Sequence, residues 1–130
     1  MQFFRVRSGM ERKALCRALE DTDAIALGTE AAGSTEEISL ALHLAGHSMA
    51  KKTNIARKLK YEFILWLSGK RDIRSAMEAT APKEGDEFFV AVFSDDEHAL
   101  EKIGAKKLPL GLKKKAGPLA LEKISLSRVK

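Results

Sequence analysis

Residues 53–78 constrain this chain most: Thr-Asn-Ile-Ala-Arg-Lys-Leu-Lys-Tyr-Glu-Phe-Ile-Leu-Trp-Leu-Ser-Gly-Lys-Arg-Asp-Ile-Arg-Ser-Ala-Met-Glu. The run reads as one long helix, a tight turn at Ser68-Gly69 and a second short helix, basic as well as apolar. At helical spacing Ile55, Ala56, Leu59, Phe63, Trp66 and Leu67 fill one arc, an ordinary core-facing stripe. Ile64 and Leu65 fall outside that arc, beside Arg57, Lys58 and Tyr61. A helix that is apolar beyond one stripe is either covered on two sides or offers a contact surface.

A length of 130 residues suits one domain with a real core and is too short for two ordinary ones. The apolar and charged fractions are those of a soluble globular protein. No apolar run is long enough to span a bilayer, and the first residues lack the order of a secretory signal. The single cysteine, Cys16, excludes an internal disulfide, so a reducing cytoplasm is the expected compartment. Charge is strongly segregated. Residues 51–74 hold eight Lys/Arg against two Asp/Glu, residues 75–101 one against eight, and residues 102–130 nine against one. Two basic blocks around an acidic one predict a surface with poles, and such patches speed encounters with polyanions.

Along the chain, residues 2–7 read as a short strand and residues 10–19 as a helix. Residues 24–27 are a small apolar run, most simply a buried strand. Ser34-Thr-Glu-Glu37 is a capping box that opens a helix with Ile38, Ala41, Leu42, Ala45 and Met49 inward. Gly69 suits the left-handed helix cap, and Asp72 is placed to cap a short helix over residues 73–79. Residues 87–93 are nearly all apolar and predict a central strand covered on both faces. Ser94-Asp-Asp-Glu97 repeats the capping box, residues 104–119 read as loop, and residues 124–129 as a final strand. The expected fold class is α/β (α+β): one compact domain with a small mixed sheet of about four strands and five or so helices.

Catalytic signatures are missing: the chain has no Gly-rich phosphate loop, no Gly-x-Ser-x-Gly elbow and no His-Glu-x-x-His. Gly69-Lys70 lacks the upstream glycine of a Walker loop. His43 and His47, four apart, are spaced for one metal, but no third ligand suggests itself and surface histidines are the expectation. His98 beside Asp95, Asp96 and Glu97 reads as a solvated cap, with an acid/base cluster as a second reading. No cofactor and no small-molecule substrate is expected.

The remaining signal is basic residues near an aromatic: Asn54, Arg57, Lys58, Lys60 and Tyr61, followed by Lys70 and Arg71 after the turn. Cations neutralise phosphate, and an aromatic ring or an Arg plane stacks on unpaired bases. A single-stranded RNA end asks for that mixture plus apolar walls. Equally, these side chains can simply solubilise a helix with a wide apolar arc. Tyr61, Ile64 and Leu65 have two readings as well: burial beneath another helix, or a docking patch for a protein partner. The lysines at 113–115 either add phosphate contacts or form a solvated tip.

Residues 54–73 also resemble the signature of the small kinase-binding subunit of the KEOPS complex (the PRPK-binding protein family), most strongly over residues 40–80. The resemblance implies a non-catalytic adaptor that docks on the KEOPS kinase subunit. It also implies that the adaptor helps present tRNA, through its 3′ CCA end, for threonylcarbamoyl-adenosine synthesis. Within the matching segment the expected RNA contacts are Asn54, Arg57, Lys58, Lys60, Lys70 and Arg71, and the expected partner contacts are Tyr61, Ile64 and Leu65. The alternative is a helix-turn-helix DNA-binding protein, poorly served because residues 73–79 offer only Arg74 to base edges. An enzyme assembled from scattered acids such as Glu62 and Asp72 is a third class that no spacing favours.

Overall fold

The computed structural model of the chain describes residues 1–83, 86–94, 98–112 and 114–126. The elements are β1 (Gln2–Arg7), α1 (Arg12–Glu20), β2 (Ala24–Leu27), α2 (Thr35–Lys51), α3 (Leu59–Ser68), α4 (Ile73–Thr80), β3 (Glu87–Val92), α5 (His98–Lys102), β4 (Lys106–Leu108) and α6 (Pro118–Ser125). They form an α/β fold of a four-stranded sheet and six helices, grouped as two compact units. One unit is Met1–Thr29 with Ala81–Gly111, and the other is Glu30–Thr80 with Leu112–Lys130.

In the first unit the strands run in the order β2-β3-β1-β4. Every neighbouring pair is antiparallel, so the sheet is not the mixed one the sequence suggested. Phe4 pairs with Val90 and Ala26 with Val90 on its other side, which puts the near-continuous apolar strand β3 in the interior. All but the first residue of β3 are buried, so both of its faces are covered, as its lack of alternation predicts. Leu15 and Leu19 of α1 and Leu100 of α5 join Val6, Phe88, Val90 and Val92 in one core on one face of the sheet.

The fourth strand was misplaced by sequence. It comes from Lys106–Leu108, inside the stretch read as loop, and pairs with β1 at an edge. Its lysines belong there: Lys107 lies 4.6 Å from the centre of the Phe4 ring, and edge lysines discourage further strand addition. The strand expected over residues 124–129 is a helix where it is described. Pro118 sits in the first helical turn after Gly117, and Ile124 is the buried residue of the exposed helix that follows. Residues 127–129 of that expectation, and Asp95, Asp96 and Glu97 of the second capping box, lie outside the described residues.

The second unit packs α3 against α2, α4 and α6. That arrangement resolves the excess of apolar residues on α3, because Phe63, Ile64, Leu65, Trp66 and Leu67 are all buried. The capping box forms as expected: Ser34 Oγ accepts from the Glu37 amide at 3.2 Å and donates to Glu37 Oε2 at 2.8 Å. The next amide of that turn, Glu36 N, donates to the Lys114 carbonyl at 3.0 Å, and so does the Thr35 hydroxyl at 3.1 Å. These bonds tie Lys114 to the start of α2, while Lys113 of the same run lies outside the described residues.

The predicted long helix is present only from Leu59 to Ser68. Ahead of it α2 runs on to Lys51 and closes with Lys52 in the left-handed region (φ 59°), the Thr53 amide donating to Ser48 O at 2.9 Å. Residues 53–58 are irregular, and α3 starts only at Leu59. At its far end Gly69 takes the left-handed cap (φ 73°) and its N–H donates to Leu65 O at 3.0 Å.

Asp72 then caps α4, accepting the Ser75 amide at 2.8 Å. That backbone bond, seconded by the Ser75 side chain and by the charges of Lys70 and Arg74, holds its carboxyl below the ordinary 3.8. A depressed carboxyl stabilises the fold above its unfolded value and loses that contribution as pH falls through the folded one. An NMR pH titration is therefore expected to show the Ser75 amide keeping its capped shift down to pH 3.8 and losing it below. A midpoint above 3.8 contradicts the cap.

Candidate functional site

The segment ahead of α3 is organised from beneath by one buried acid. Glu62 has no exposed surface, an expensive position for a carboxyl unless donors surround it. It lies in the first turn of α3, where the helix dipole favours negative charge. Its Oε1 accepts the backbone N–H groups of Ile55 and Ala56, each at 3.0 Å. Its Oε2 accepts the Ser48 hydroxyl at 2.5 Å. Ser48 in turn accepts the Trp66 indole N–H at 3.3 Å. Residues from α2, α3 and the connecting segment thus meet in one buried network.

The network fixes the outer side of the segment. The Asn54 amide donates to Ala56 O at 2.7 Å and closes a local turn. Ala56 is buried as a plug, whereas Ile55, Arg57 and Lys58 are exposed, as are Lys51 and Lys52 just before them. Ile55 was expected inside with the helical stripe. It is instead 47% exposed, because helical spacing does not apply before Leu59.

The expected contact residues are not brought to one place. Arg57 and Lys58 stand at the start of α3, Lys70 and Arg71 beyond its end, about 15 Å apart for a helix of ten residues. Lys60 is buried at 4% exposure, 5.1 Å from the centre of the half-buried Tyr61 ring, and does not present its charge at the surface. Asn54 is engaged within its own turn. Ile64 and Leu65 have no exposed surface, so the burial alternative holds for them and they form no docking patch in this structure. Among the described residues of this unit, the exposed large apolar ones are Ile55, Ile73, Met77, Leu119 and Leu126.

Two other clusters bear on function. His43 and His47 stack on the exposed side of α2 with ring centres 6.4 Å apart. No group of three metal-ligating side chains occurs among the described residues. In the first unit a cavity of about 290 Å³ is lined by Asp21, Thr22, Asp23, Ser94, His98 and Lys102, among others. Of the lining groups, Lys102 pairs with Asp21 at 3.3 Å and His98 lies 3.5 Å from Glu101, all four side chains being exposed. Pairs of that exposure contribute little. The Thr22 hydroxyl is committed to Leu19 O at 2.7 Å, which ends α1.

Sequence reasoning missed Glu62 and Ser48 as organisers of this segment. The signal was present, since a lone acid in an otherwise apolar inner helix has to meet buried donors. No described helix is long and apolar enough to cross a membrane. No protein-family model and no curated protein matches the chain.

Removing the Glu62 acceptor strands the N–H groups of Ile55 and Ala56. Glu62→Ala is expected to cost about 3 kcal/mol or more in urea unfolding, each orphaned donor counting for ~1–3 kcal/mol. Glu62→Gln keeps an acceptor for the two amides, while Ser48 turns to Ala45 O, already 3.0 Å away. Its cost is expected to be about 1 kcal/mol. Equal costs for the two variants contradict the network.

Proposed function

We propose that the protein is a non-catalytic adaptor of tRNA modification, resembling the KEOPS kinase-binding subunit. In this reading it holds the KEOPS kinase subunit on one surface and contacts the tRNA 3′ CCA end with another, in the cytoplasm. The observation that carries the RNA half is the cation-rich connection between α2 and α3. Lys51, Lys52, Arg57 and Lys58 are exposed around it, and the acid of the same stretch, Glu62, is buried among N–H and O–H donors rather than facing solvent. Cations presented without exposed acids between them suit a polyanion.

The kinase half cannot use Ile64 and Leu65. It falls to exposed apolar residues such as Ile73 and Met77, one turn apart on α4, with Lys70, Arg71 and the Arg74–Glu78 pair around them. A small apolar centre with a mixed-charge rim has the make-up of a protein interface. The helix-turn-helix reading loses ground, because the first helix of the supposed motif is short and buried and α4 presents only Arg74 to a groove.

Two measurements test the proposal. In a gel-shift series, tRNA lacking CCA is expected to bind several-fold more weakly than intact tRNA. Equal affinity for random duplex DNA contradicts the reading and favours the DNA-binding alternative. Affinity purification from the native host is expected to recover a small atypical kinase, and its absence contradicts the adaptor role.

A further inference from the structure

Resting on the RNA-end reading above, we infer that the 53–58 segment is the subsite for the unpaired 3′-terminal bases, with Ile55 as the base-contacting residue and Glu62 as its positioning residue. Arg57 and Lys58 take the flanking phosphates. Ile55 was the residue expected to be in the core, yet its side chain is exposed while its N–H is held from inside by a fully buried carboxyl. The same oxygen holds Ala56, whose methyl plugs the interior, and the Asn54 amide closes the turn over Ala56 O. These three bonds hold the segment with one aliphatic group exposed in a stretch of exposed cations. Unpaired bases ask for an apolar platform, and phosphate neutralisation alone gives affinity without preference for a free end.

Charge decides between the two ends of α3. Residues 51–58 carry Lys51, Lys52, Arg57 and Lys58 with no acid. Residues 70–78 carry Lys70, Arg71 and Arg74, but also the Asp72 carboxylate and Glu78, which is paired with Arg74 at 3.6 Å. A phosphate chain is drawn more strongly to the first end than to the second, where acids offset most of the positive charge. The arrangement also gives Glu62 a role beyond stability. An acceptor at that position keeps Ile55 aimed outward whether or not it carries charge, so Gln is expected to replace it in binding and Ala is not.

The test is fluorescence anisotropy with tRNA transcripts ending in CCA or lacking it, over a salt series. Ile55→Ser, a surface change that leaves the fold intact, is expected to weaken the CCA-bearing transcript about 5-fold or more, abolish its advantage over the truncated one and leave the salt slope unchanged. Reversing Arg57 and Lys58 to Glu is expected to lower the slope by about 2, and reversing Lys70 and Arg71 to leave it as it was. Glu62→Gln is expected to keep the preference for CCA and Glu62→Ala, checked for its fold by circular dichroism, to lose it. If the wild-type protein prefers CCA and Ile55→Ser prefers it equally, the inference is overturned while the adaptor reading stands. If the wild-type protein shows no preference for CCA, both fall.

Discussion

One carboxyl group sets the geometry of the cationic segment in this protein. Glu62 sits where a charge is costly, fully buried in the first turn of a helix packed against three others, and is surrounded there by two backbone amides and a serine hydroxyl. After α2 closes at Lys52, Oε1 takes the N–H groups of Ile55 and Ala56 and holds the connection to α3 in its irregular course. It is drawn inward at Ala56 and thrown outward on either side. The exposed cations and the exposed isoleucine are consequences of that bond pattern.

The same pattern separates two kinds of surface on one helical unit. Ahead of α3 the exposed charges are all of one sign. Beyond Gly69 they alternate, with Asp72 engaged as a helix cap and Glu78 paired with Arg74. A surface of single sign favours a polyanion, whereas alternating charges around Ile73 and Met77 favour a protein. The adaptor reading needs two partners, and the helical unit has two chemically different places for them.

Much of the fold was legible. The capping box at Ser34 and Glu37, the Gly69 cap, the Asp72 cap and the all-apolar strand β3 are local signals whose physics does not depend on what lies far along the chain. The failures share a cause in tertiary context. Lys106–Leu108 became a strand because β1 offered an edge, and residues 124–125 became helical because Gly117-Pro118 opens a helix whose Ile124 packs inward. The site was legible only in composition. Helical periodicity was extended through residues 53–58, so Ile55 was placed inside and Lys60 outside, the reverse of their positions. Ile64 and Leu65 were weighed as a patch because a wheel does not reveal how many helices surround α3.

Residues 53–58 act as a fixed element rather than a loose connection. Native-state hydrogen exchange of the Ile55 and Ala56 amides tests that most directly. Both are expected to be protected to the same degree as the amides in the middle of α3, opening only with the unit as a whole. Exchange of those two amides at the rate of an open loop, while α3 stays protected, would contradict it.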